Sequence, residues 1–287
     1  MNDLKKIKDV FFDKCVIISN LLKNTNLADL GKEVSINSSG DKMKKLDYDS
    51  NNIIYNDLLK LKCVKTIISE EFENKKMVNN NGKYLVSYDP LDGSSNIDSN
   101  ISVGTIFCVF KYDKNESIKN GKNIVLSGYC IYGPSTIMVI ADKNEVKMYQ
   151  YNKKWNLINI NLLPEKGKIY AINESNKYKY KNHINKYINR LIENNYTARW
   201  VGSLVADVHR TLIKGGVVIY PSNISSPSGK IRLIYEAYPM AFIFEKLGGK
   251  SLCNDKSILL EEFPNNNIHK KVPIYYFGKK EFRLFNI

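Results

Sequence analysis

The chain has 287 residues, 43% of them hydrophobic and 25% charged, with a net charge of +14. That balance describes a soluble globular protein with room for one large domain or two coupled halves. The lysines are spread along the whole chain rather than gathered on one stripe, and there is no zinc-finger or RNP-like spacing, which argues against a nucleic-acid partner. No run approaches the roughly 18 apolar residues of a membrane span.

Leu4, Ile7, Phe11, Ile18 and Leu22 recur at helical spacing and predict a helix over residues 3–24. Thr25–Gly40 is mostly polar and reads largely as a loop, followed by a helix over Ser50–Lys60. Val64–Ser69 and Tyr84–Tyr88 are strands that run directly into Glu70-Glu71 and Asp89. Gly104–Phe110 is another strand, and a hairpin turns at Gly133-Pro134-Ser135. Val146–Tyr149 and Trp155–Ile160 extend the β-rich stretch. Pro164–Gly167 marks a boundary between two halves, 1–165 and 166–287.

In the second half, Lys168–Ile172 reads as a strand, His183–Glu193 as a helix and Arg199–Gly202 as extended chain. Ser203 is placed to cap a helix ending at Lys214, before Gly215-Gly216. Val217–Pro221 is a strand, and Leu233–Leu247 is a helix stopped by Gly248-Gly249. Alternation of this kind implies a layered α/β protein. Cys15, Cys63, Cys108, Cys130 and Cys253 are scattered without a CxxC pair, as in reduced, buried thiols of a cytoplasmic protein. The N-terminus carries no cleavable targeting signal that its pattern would support.

The acids carry the chemistry. Glu70-Glu71 and Asp89 leave apolar strands, and Asp92 follows three residues after Asp89 in DPLDGSSN. Carboxylates converging in a poorly hydrated place raise one another's pKa unless a cation compensates. A hard divalent ion with oxygen ligands does so, magnesium above all where phosphate is also a ligand. Pro90 and Gly93 force a turn, and Gly93-Ser94-Ser95 offers N–H groups and hydroxyls to an anion. Metal on one side and amide donors on the other describe a phosphoryl-transfer site.

DPLDGSSNID (Asp89–Asp98) with VGTIF (Val103–Phe107) closely resembles the fructose-1,6-bisphosphatase family, within the lithium-sensitive, inositol-monophosphatase-like phosphatases. WVGSLVADVHRTL (Trp200–Leu212), SPSGKIRLIYEAYPMAF ending at Phe242, EKLGG (Glu245–Gly249) and GDKMKKLD (Gly40–Asp47) carry the same resemblance, which spans roughly residues 4–287. It implies an αβαβα sandwich of the sugar-phosphatase type, with a metal-holding N-terminal half and a sugar-phosphate-holding C-terminal half. It implies catalytic roles for Asp41, Asp47 and Glu71. Magnesium, with manganese or zinc as alternatives, would bind Glu70, Asp89, Asp92, Glu236 and the Leu91 carbonyl. Gly93, Ser94 and Ser95 would hold the 1-phosphate or the sugar diol. Asn173, Tyr220 and Lys230 would hold the distal phosphate, with Arg199 reaching a neighbouring subunit's pocket in a homodimer or homotetramer.

Lys230 and Arg232 beside Gly229, at the start of an apolar helix, suit a phosphate independently. His209 reads as a packed helix residue rather than a base. Trp200 and Asn176 stand where the family usually has tyrosine, which leaves six- and seven-carbon bisphosphates both in play. A broader sugar or inositol phosphatase, or a non-catalytic nucleic-acid-binding derivative, is the remaining alternative. The segment with which many relatives grip AMP is short here, and Lys111 replaces the usual Arg beside Lys83-Tyr84, so AMP inhibition is expected to be weak or absent.

Overall fold

The computed structural model describes residues 3–26, 29, 32–36, 42–159 and 161–285. Among them, six α-helices flank two large sheets. The helices are α1 (Asp3–Asn24), α2 (Lys45–Leu58), α3 (Asn182–Glu193), α4 (Leu204–Lys214), α5 (Tyr238–Lys246) and α6 (Glu281–Phe285). The eight-stranded sheet runs from Lys154–Ile158 through Val146–Asn152, Thr136–Asp142, Ile124–Tyr132, Val103–Lys111, Tyr84–Asp92 and Val64–Ser69 to Lys76–Met77. The six-stranded sheet runs from Thr197–Ala198 through Ile169–Ala171, Gly216–Tyr220, Ile274–Phe277 and Lys250–Cys253 to Lys256–Ser257. No described helix is long and apolar enough to cross a membrane.

Side-chain alternation builds the layers. In Val103–Lys111, Val103, Phe107 and Val109 face the cluster that holds Ile7, Phe11, Cys15 and Ile18 of α1 and Leu46, Ile54 and Leu58 of α2. Ile106, Cys108 and Phe110 face the opposite way, into a central cluster with Val205 and Val208 of α4 and Met240 and Phe244 of α5. Val218 of the second sheet joins that central cluster. Its neighbours Val217 and Ile219 turn instead to Ile184, Tyr187 and Leu191 of α3. A period of two on buried strands therefore yields helix, sheet, helix, sheet and helix in sequence, the αβαβα sandwich that the resemblance implied.

Three local readings need correction. Residues 33–36, inside the stretch read largely as loop, are a strand, Glu33–Ile36, whose backbone pairs antiparallel with Lys42–Lys44. The second helix begins at Lys45, earlier than Ser50, because the Lys44 backbone N–H donates to the Asp47 carboxylate at 2.8 Å and starts the helix there. Ser203 stands at the N-cap of α4 but makes no cap bond. Its hydroxyl donates instead to Asp92 at 3.2 Å, and Asp92 caps the helix from another strand by accepting from the Val205 N–H at 2.8 Å.

Phe11 lies stacked on Phe107, with ring centroids 3.8 Å apart, and is fully buried. Phe11→Ala is expected to lower stability by about 3–5 kcal/mol, read as a shift of the urea midpoint without change of slope.

Candidate active site

The parallel pair in the large sheet among the described residues, Val64–Ser69 with Tyr84–Asp92, aligns Ser69 with Tyr88. The residues that follow, Glu70 and Asp89, therefore emerge side by side at one sheet end. Ile68 and Leu85 face the central cluster, so period two carries Glu70 and Asp89 to that same face. A bulge between Asp89 and Asp92 brings Asp92 to the same place. The turn is pinned by the Leu91 N–H donating to Asp89 at 2.9 Å and by Thr105 donating to the Pro90 carbonyl at 2.8 Å.

The fourth acid comes from the other side of the central layer. Glu236 lies on a π turn, Leu233–Ala237, that leads into α5, and the Arg232 backbone N–H donates to its carboxylate. Ligand oxygens of Asp89, Asp92 and Glu236 fall within 4.8 Å of one another, and all three residues are buried. Burial is the largest force raising all three pKa values, and the neighbouring Glu70 carboxylate adds to it in each. Asp92 is pushed up to about 7. Burial also lifts Asp47 to about 6, against the opposing bond from the Lys44 N–H. Oxygen-only donors, buried and mutually repulsive, fit a hard divalent cation.

These acids share one cleft of about 610 Å³ with Glu71, Leu91, Gly93, Ser94 and Ser95. Gly93 has φ +80°, and a Cβ there would fall 2.5 Å from the Ser203 hydroxyl, so the turn admits only glycine comfortably. Ser94–Ser99 then form a short 3₁₀ helix. Asp41 lies outside the described residues. Glu33, Lys44 and Asp98 also line the cleft and were not singled out by the sequence.

The C-terminal candidates lie apart from the cleft. Tyr220 donates to Asp207 at 3.1 Å, and Asp207 accepts from the Val201 and Gly202 N–H groups at 2.9 and 3.1 Å. Asp207 thereby links Tyr220 to the segment against Gly93. The signal for it was an acid in the first turn of α4, just after Gly202. Arg199 and Lys230 are exposed, and the Asn173 carboxamide caps its own turn at Ser175. The structure does not bring these three into contact with the acids. His209 is a packed residue, as read: its Nδ1 meets the Tyr129 hydroxyl at 2.9 Å, and burial holds its pKa down to about 4.

Comparison with known proteins agrees with this geometry. Residues 1–159 match the family model for the fructose-1-6-bisphosphatase N-terminal domain, and residues 163–284 match the C-terminal domain. The chain is 40% identical over 277 residues to fructose-1,6-bisphosphatase class 1 of Persephonella marina, covering 92% of this chain and 85% of that protein. It is 38% identical over 275 residues to fructose-1,6-bisphosphatase 1 of Bos taurus, covering 90% and 81%. The holo form of Leishmania major fructose-1,6-bisphosphatase superposes with a TM-score of 0.93 at 32% identity, covering 99% of this chain and 93% of that one.

The raised acids give a pH test. Without metal, the folded state keeps protons that unfolded carboxylates release near about pH 4. Their favourable contribution is therefore complete below about pH 4 and is lost as the pH rises toward about 7. In EDTA, the melting temperature should fall by a few degrees between about pH 5 and 7.5. Asp92→Asn should flatten that fall, and magnesium should reverse it in the native chain.

Proposed function

Because this chain belongs to the fructose-1,6-bisphosphatase family, we propose that it hydrolyses the 1-phosphate of fructose 1,6-bisphosphate to fructose 6-phosphate and inorganic phosphate. The observation that carries the reading is the ring of buried carboxylates beside the Gly93-Ser94-Ser95 turn. Glu70, Asp89, Asp92, Glu236 and the Leu91 carbonyl are the groups to hold magnesium, with manganese or zinc as substitutes. When bound, a divalent cation neutralises these acids and polarises a phosphoryl oxygen.

The chain's own groups do the rest. Gly93, Ser94 and Ser95 orient the 1-phosphate, so that attack by water is in line and no phospho-enzyme forms. Asp47, with a pKa near 6, can exchange a proton at neutral pH. Asp41 and Glu71 share that work. Asn173, Tyr220 and Lys230 anchor the 6-phosphate. Arg199, exposed on the surface, reaches the same pocket of a second copy in a homodimer or homotetramer. The division into a metal-holding half, 1–165, and a sugar-phosphate-holding half, 166–287, belongs to the same proposal, as does a cytoplasmic place in gluconeogenesis.

Trp200 is 42% exposed and its ring lies 6.5 Å from that of Tyr220. It stands beside the distal anchor where the family usually has tyrosine, which keeps sedoheptulose 1,7-bisphosphate as the competing substrate, and relative kcat/KM on the two bisphosphates decides between them.

Phosphate release from fructose 1,6-bisphosphate should require magnesium. Asp89→Ala and Glu70→Ala should each lower kcat more than ~100-fold with an unchanged circular dichroism spectrum. A near-native rate at saturating magnesium would refute these assignments. AMP at micromolar concentration should leave the rate unchanged, and inhibition that is abolished by Lys83→Ala or Tyr84→Phe would contradict that expectation.

A further inference from the structure

His269 joins the two sides of the acidic ring. Its Nε2 lies 2.8 Å from the Phe72 carbonyl oxygen, 197 residues away in sequence and directly after Glu70-Glu71. Its Nδ1 lies 2.7 Å from the hydroxyl of Tyr235, the residue before Glu236. A carbonyl only accepts, so Nε2 carries the proton and donates to Phe72, while Nδ1 accepts from the Tyr235 hydroxyl. The two rings meet edge to face at 5.9 Å. Tyr235 is fully buried, and after burial itself the carboxylates of Glu70 and Glu236 are the main neighbours raising its pKa.

The loop around His269 is itself tied to the π turn. The Lys270 carbonyl accepts from the Leu233 N–H at 2.8 Å, and Lys271–Val272 pair with Ile231–Arg232. The His269 N–H donates to Asn267 at 3.2 Å. One imidazole thus spans the turn that presents Glu70 from the first sheet and the turn that presents Glu236 from the central layer.

We propose that His269 is a positioning residue that holds Glu70 and Glu236 at metal-binding separation. The inference rests on the reading of the acidic ring as a metal site. It follows that a side chain with one donor and one acceptor, such as glutamine, can replace it, and an apolar one cannot.

The test is calorimetric titration of Mn2+ into the native chain, His269→Ala, His269→Gln and Tyr235→Phe, alongside phosphate release from fructose 1,6-bisphosphate. His269→Ala and Tyr235→Phe should each weaken Mn2+ binding about tenfold, with His269→Gln within about threefold of native. The KM for the bisphosphate at saturating magnesium should stay within about twofold in every variant. Native affinity in His269→Ala overturns the proposal, and so does equal weakening by alanine and glutamine, which would mark a space-filling role. Should His269→Ala not fold, Tyr235→Phe decides: weakened Mn2+ binding supports the proposal and native affinity overturns it. A native chain that binds Mn2+ but releases no phosphate refutes the hydrolase reading alone, while His269 is still judged by the titration. A native chain that takes up no Mn2+ overturns both.

Discussion

The structure turns on Asp92, a buried carboxylate shared by two tasks. It accepts from the Ser203 hydroxyl and the Val205 N–H at the start of α4, where the helix end favours an anion. It also stands within 4.8 Å of the ligand oxygens of Asp89 and Glu236. The same helix carries Asp207, which holds Tyr220, residues 201–202 and Arg210. The first turn of α4 therefore ties the acidic ring to the Tyr220 hydroxyl. Whatever fixes Asp92 also fixes where Asp207 and Tyr220 stand relative to the acids.

Much of this was legible in the sequence, because it depends on local rules. Period-two strands that run into acids gave Glu70, Asp89 and Asp92, and turn chemistry gave Gly93. What escaped depends on pairing between distant segments. Nothing local to Val64–Ser69 and Tyr84–Asp92 says that they lie side by side and parallel, yet that alignment sets Glu70 beside Asp89. Ser203 has every mark of a cap residue and loses the role only because Asp92 arrives from another strand. His269 sits in an unremarkable polar loop, and its two partners are distant in sequence. Glu33–Ile36 was hidden by polar neighbours. Asn173 and Arg199 were named through family likeness, and Lys230 also through its place beside Gly229; the geometry of a single chain does not gather them with the acids.

Charge acts at two ranges. The whole chain is strongly basic, at +14, whereas the cleft concentrates acids. Within about one Debye length, roughly 8 Å at physiological salt, exposed basic groups attract a polyanion. Inside, the carboxylates repel it. An anionic substrate therefore depends on a cation in this cleft, whereas the carboxylates can take up the cation by themselves.

The π turn at Leu233–Ala237 is an α-helical turn with one residue too many, closed by the Tyr238 N–H donating to the Leu233 carbonyl. Each residue of a regular helix rotates its side chain by about 100°. Deleting one here would restore regular winding and swing Glu236 away from its companions while leaving the apolar face of α5 almost whole. The length of this stretch is therefore as much a part of the acidic ring as the carboxylate it carries.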